Sequence, residues 1–132
     1  AKRVGTTGAK TAQDPDAQLA CAEAVCTLEE MKAVIHRNYA VMFDYAQRGE
    51  ETPLELRLQF KYQSAVVADR CIGVAAKLFQ CVGGSGIFET HSFGRLYQDL
   101  LAARQHVSNQ SQVSGRNFGG TLLGLDNADP QI

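Results

Sequence analysis

Two places in the chain could do chemistry. His106 carries an imidazole, a group able to exchange a proton with a substrate oxygen near neutral pH. The run Gln80-Cys81-Val82-Gly83-Gly84-Ser85-Gly86 puts three glycines within four residues, directly after a helical pattern. Glycine backbone lets a flat or anionic ligand come close to exposed amides. Each place also has a plain structural reading: a capping or half-buried histidine, and a helix-to-helix turn. Of the other two histidines, His91 precedes the third helix and is a weaker candidate, and His36 beside Arg37 reads as surface.

Other chemistries find no support. A helix rather than a strand precedes the glycines, and the spacing is not that of a dinucleotide-binding loop. The Gly-Lys-Ser/Thr ending of a phosphate-binding loop is missing. No carboxylate stands at i,i+3 or i,i+4 from a histidine in an inward-facing pattern, so no metal site is expected. There is no G-x-S-x-G and no credible Ser/His/Asp set. The four cysteines, Cys21, Cys26, Cys71 and Cys81, form no C-x-x-C and sit within apolar helical patterns. They read as small hydrophobes of a reduced, cytoplasmic protein. Net charge of -1 gives no reason to expect nucleic acid or a membrane surface, and no apolar run is long enough to span a bilayer.

The elements that must hold these groups are helices. Residues 1–13 lack periodicity and read as a linker or frayed terminus; with Ala1 at the start, the chain is expected to be one domain of something larger. Asp14-Pro15 is a helix start, and Cys21, Ala24, Leu28, Met31, Ile35, Met42 and Tyr45 recur every three or four residues, with Asn38 interrupting. Gly49 ends that helix. Thr52-Pro53-Leu54-Glu55 starts a second, which runs to about Val82 with Leu58, Ala65, Ile72, Ala76 and Phe79 along one side. The short link makes the two long helices antiparallel neighbours. A third is expected from Ser92 to His106 or Val107, with Phe93, Leu96, Leu100 and Ala103 as its apolar side and Arg95 paired with Asp99. A weaker fourth extends to about Leu123, and residues 126–132 form a loose tail. This is an all-α, up-and-down four-helix bundle over residues 14–125, its long helices overhanging the core and needing a partner surface.

The residues now admit a family resemblance, covering about Asp14 to Asp126. Gln80-Cys81-Val82-Gly83-Gly84-Ser85-Gly86, followed by Arg95-x-Tyr97-Gln98-Asp99, resembles the C-terminal helical domain of the acyl-CoA dehydrogenase superfamily. The stretch Asp99 to His106, a small-residue helix and Leu122-Leu123-Gly124-Leu125-Asp126 are similar to its flavin-dependent hydroxylase branch, the oxygenase components of two-component aromatic monooxygenases. The dehydrogenases commonly carry a catalytic glutamate where Val107 stands, and valine cannot abstract a proton.

The resemblance implies that His106 is catalytic, holding or deprotonating a phenol while reduced FMN or FAD and dioxygen supply one oxygen atom. It implies that Gln80, Gly83 and Gly84 approach the flavin, that a separate reductase provides the reduced flavin, and that the parent is a homotetramer. Gln98 stands where the pattern has arginine, and tryptophan is absent. The superfamily's other two domains lie outside this sequence, so flavin binding by this chain alone is expected to be weak or nil. Two further readings stay open: an acyl-CoA dehydrogenase or oxidase-like domain, and a non-catalytic helical oligomerisation domain.

Overall fold

The structure is a computed structural model that describes residues 11–82 and 92–132. Asp14 and Pro15 open the first helix as their chemistry requires. The Asp14 carboxylate accepts from the Asp16 amide at 3.0 Å, and Pro15 occupies the first turn, where an N–H would have no helical partner. Helix α1 then runs through Pro15–Gln47, 33 residues, or about 50 Å. It stops at Gly49, whose φ of 69° is disfavoured for side-chain-bearing residues. The Gly49 and Glu50 amides turn back to the carbonyls of Ala46 and Tyr45, each at 3.0 Å, satisfying the helix end.

Helix α2 (Leu54–Val82) returns alongside α1. Asn38 meets Gln63, Glu30 pairs with Arg70 at 2.8 Å, and Glu23 pairs with Lys77 at 2.6 Å. Partners descend along one helix as they ascend along the other, so the pair is antiparallel as expected. The α1 seam repeats every seven residues through Ala17, Ala24, Met31, Asn38 and Tyr45, the first four of them buried. That period is the signature of helices that coil around each other.

This phase corrects the expected α1 stripe. Cys21 and Leu28 of that stripe face outward and are exposed, as is Cys26. Among the described residues the buried apolar set is Ala17, Ala20, Ala24, Met31, Leu58, Phe60, Ala65 and Ala75. Alanine dominates it, so α1 and α2 can approach closely, while the bulkier Leu19, Val25, Tyr39 and Phe43 of α1 remain exposed.

Helices α3 (Ser92–Arg104) and α4 (Ser111–Leu122) both pack on α2. Phe79 lies against Phe93 and Tyr97, Asp69 meets first Arg104 and then Ser111, and Tyr62 lies against Phe118. Moving back along α2 thus moves forward through α3 and then α4. The two short helices lie end to end and share one column of the all-helical bundle, both antiparallel to α2. Together they nearly match α2 in length, 13 and 12 residues against 29, so α2 is flanked along its course by α3 and α4.

Local expectations for α3 need two corrections. Its inner side runs through Phe93, Tyr97, Leu100 and Arg104, leaving Leu96 60% exposed. Arg95 and Asp99 are both exposed and do not pair with each other. Gly115 of α4 rests on Tyr62, and a β-carbon added there would fall 2.8 Å from the ring. The C-terminal tail, expected to be loose, is tied back. Lys61 pairs with Asp129 at 2.5 Å, and the Asn117 and Asn127 side chains meet at 2.8 Å. No helix among the described residues is long and apolar enough to cross a membrane.

Candidate functional site

His106 does not lie on a helix. Helix α3 ends at Arg104, two residues short of the expected boundary, and the connection 105–110 leads to α4. His106 takes extended backbone angles there and caps a 3-10 turn, Val107–Asn109. The Ser108 amide donates to Nδ1 of His106 at 3.2 Å. A nitrogen that accepts an N–H bond carries no proton, so the neutral ring bears its proton on Nε2. His106 is exposed, and Nε2 is the ring nitrogen left to donate.

The connection is compact. The His106 amide donates to Ala103 at 3.2 Å, the Asn109 amide to His106 at 2.9 Å, and the Asn109 side chain to the Ala103 carbonyl at 2.7 Å. Its ends meet at one carboxylate of α2. Asp69 Oδ1 accepts from Nε of Arg104, the last residue of α3, at 2.7 Å. Asp69 Oδ2 accepts a short bond from the hydroxyl of Ser111, the first residue of α4. The Ser111 hydroxyl, followed by the Arg104 guanidinium, holds the Asp69 carboxyl below its ordinary range, against a smaller upward push from burial. Neither Asp69 nor Ser111 was among the expected site residues. Asp69 did leave a signal: it falls between Ala65 and Ile72 on the expected inner side of α2, where a carboxylate is out of place.

Immediately after His106, Val107 and Ser108 enter the wall of a cavity of about 460 Å³. Val113, Leu125 and Pro130 make much of its apolar surface, and Lys61, Arg116 and Asn117 supply polar groups. His106 itself does not line it.

Gln80 stands near the end of α2 with its side chain exposed and without a hydrogen-bond partner among the described residues. Gly83 and Gly84, expected to approach a cofactor beside it, lie outside the described residues, as does His91. The shallow groove next to Gln80 is lined by Asp14, Asp16, Glu23 and Lys77, and Lys77 is already paired with Glu23. That charge balance repels phosphate, whereas the Gln80 amide can both donate to and accept from a polar ligand atom. Gln80 therefore fits a cofactor contact, and the groove does not fit the cofactor's anionic part. No group of histidine, cysteine and carboxylate side chains able to hold a metal ion occurs among the described residues.

Comparison with known proteins assigns the class. The family described as acyl-CoA dehydrogenase, C-terminal domain, matches residues 1–111, and the chain belongs to that family. Within it, the chain is 27% identical over 130 residues to the flavin-dependent monooxygenase, oxygenase subunit HsaA, of Rhodococcus jostii (strain RHA1), covering 98% of this chain and 34% of that protein. It is 25% identical to the protein of the same name from Mycobacterium tuberculosis (strain CDC 1551 / Oshkosh), over 98% of this chain and 33% of that one. The crystal structure of 3-HSA hydroxylase from Rhodococcus sp. RHA1 superposes with a TM-score of 0.84 at 27% identity, covering 91% of this chain and 32% of that chain. XiaF from Streptomyces sp. shares the fold, with a TM-score of 0.86 at 15% identity over 97% of this chain and 32% of that one. The chain thus spans about a third of the length of the relatives it matches.

Proposed function

We propose that this chain is the C-terminal helical domain of a flavin-dependent monooxygenase that hydroxylates an aromatic, phenolic substrate. The observation that carries this reading is its alignment, over nearly its whole length, with the oxygenase subunits of flavin-dependent monooxygenases. Reduced flavin, FMN or FAD, reaches the enzyme from a separate reductase, as expected of an oxygenase subunit. Bound flavin and dioxygen supply the oxygen atom.

The work of this chain's own residues is binding and orientation. Because Nδ1 of His106 is engaged by the Ser108 amide, the neutral ring is a donor at Nε2. It suits holding a phenolate oxygen, which keeps electron density in the ring, better than taking the phenol's proton. Of the two tasks implied for His106, holding is the one its tautomer favours. Val107 and the apolar wall beside it offer a surface for an aromatic body. Gln80 would meet the flavin through its amide, and Gly83 and Gly84 keep the cofactor-binding role that the family resemblance implies. Val107 cannot act as a base, and this weighs against the dehydrogenase reading.

The same reading makes the parent a cytoplasmic homotetramer assembled through these helices. The exposed Leu19, Val25, Tyr39 and Phe43 of α1 support a covering partner, and the exposed Cys21 and Cys26 suit a reducing compartment. The test is oxygen-dependent hydroxylation of a phenol by the full-length protein supplied with reduced flavin. Reduction of bound flavin by an acyl-CoA, without hydroxylation, would overturn the proposal.

A further inference from the structure

One carboxylate on α2 joins the last residue of α3 to the first residue of α4, and the six residues between them, 105–110, carry His106. An ion pair that merely fastened one helix to another would need a single partner. Asp69 instead divides its two oxygens between two elements, Oδ1 to Arg104 and Oδ2 to Ser111. It does so from a position where the spacing of Ala65 and Ile72 would favour an apolar residue. Ser111 is buried, at 8% exposure, so that end of the connection is anchored away from solvent.

His106 has no comparable anchor. Its ring is exposed and, among the described residues, makes one bond, accepting from the Ser108 amide within the same connection. Where the ring sits relative to the bundle is therefore inherited from the connection, and the connection is held at both ends by Asp69. We propose that Asp69 is a positioning residue for His106, fixing where the Nε2–H edge is presented by holding Arg104 and Ser111 at a set separation. The proposal rests on reading His106 as the residue that touches substrate. A displacement of the ring by about 1 Å is enough to cost roughly tenfold to a hundredfold in rate.

The test uses the full-length protein labelled with 15N-histidine, in which solid-state NMR reads the protonation of each ring nitrogen. Loss of one signal set in His106→Gln identifies His106. In the unaltered protein His106 is expected to show a bare Nδ1 and a protonated Nε2. Asp69→Ala should average the two nitrogens as the connection loosens, and lower the hydroxylation rate tenfold or more. Asp69→Asn can accept from Arg104 through its carbonyl and donate to Ser111 through its amide, so it should stay near the unaltered protein in both readouts. A folded Asp69→Ala protein whose His106 signals do not change overturns the proposal. Should Asp69→Ala fail to fold, Ser111→Ala frees one end only and decides by the same signals, averaging supporting the clamp and constancy refuting it. Because the NMR readout does not depend on turnover, it separates two failures. Full activity in His106→Ala would remove the functional reading and leave the clamp, and His106 signals indifferent to Asp69 would do the reverse.

Discussion

Asn38 of α1 and Gln63 of α2 meet across the long helix pair, the Asn38 amide donating to the Gln63 side-chain oxygen at 2.8 Å. Asn38 is 3% exposed and is the fourth and last buried position of the seven-residue seam, after Ala17, Ala24 and Met31. A buried amide in such a seam is satisfied in one register and unsatisfied in every other. Asn38→Ala is expected to cost about 1–3 kcal/mol, since it removes a buried side chain and its bond to Gln63, whose oxygen keeps only the longer bond from Arg37. Asn38→Leu should restore much of that stability and relax the register, seen as additional or broadened amide resonances along α1 and α2. Sharp single resonances in Asn38→Leu would refute the register role.

Gly115 sets how closely α4 approaches α2. The Tyr62 ring occupies the space a β-carbon would need, at 2.8 Å. Gly115→Ala must push the ring or the helix away and should lower stability by about 1–3 kcal/mol in chemical denaturation. Adding Tyr62→Leu should recover part of the loss, although the Tyr62–Phe118 contact goes with the ring. A double variant no more stable than Gly115→Ala would place the strain elsewhere.

Acid should weaken the fold through two carboxylates. Asp69 is held below its ordinary value of 3.8 by Ser111 and then Arg104, and Asp129 below the same value by Lys61 and then the Gln131 amide. A carboxylate that binds its proton less tightly when folded stabilises the fold fully above the unfolded value. That contribution drains away as pH falls below 3.8 through the depressed folded value. Denaturation midpoints should therefore be flat above about pH 5 and drop below about pH 4. The drop should be shallower in Asp69→Asn, and an identical acid limb in that variant would contradict the assignment.

Thiol reactivity can report what covers α1. Cys21 and Cys26 are exposed on its outer side, whereas burial pushes the Cys71 thiol up and slows its reaction, with Arg70 opposing. If the parent assembles through these helices, Cys21 and Cys26 should be labelled slowly by iodoacetamide in the intact protein and quickly once it is dissociated. Rapid labelling of both in the intact protein would leave the outer side of α1 uncovered.

Much of the fold was legible because helix ends are local. Asp14-Pro15 and Gly49 bracket α1 through bonds spanning only a few residues, and sequence patterns report such bonds well. The phase of α1 was harder. Cys21 and Leu28 are as apolar as the seam itself, and only the seven-residue run through Ala17, Ala24, Met31 and Asn38 marks the inner side. Small residues there face α2 while larger ones face outward, the reverse of the usual cue. The Lys61–Asp129 tie joins residues 68 positions apart and leaves no local trace.

The candidate site was legible in its residue and not in its geometry. His106 stood out by type, yet its capping role depends on where α3 stops, and the residues flanking the connection are tied to Asp69 on another helix. Asp69 could have been noticed as a charge on an apolar stripe. Its two partners become visible only once α3 and α4 are laid end to end along α2.

The most direct measurement is the hydroxylation rate of the full-length protein with His106 replaced in three ways. His106→Ala removes the Nε2 donor and should lose on the order of a hundredfold to a thousandfold, the usual cost of deleting a donor to a developing oxyanion. His106→Asn can still cap the Val107–Asn109 turn but lacks the outer donor, and should be nearly as slow. His106→Gln can carry an N–H to the Nε2 position and should keep the most activity of the three. If His106→Ala turns over as fast as the unaltered protein, no imidazole contact with substrate is needed and the account of this site is wrong.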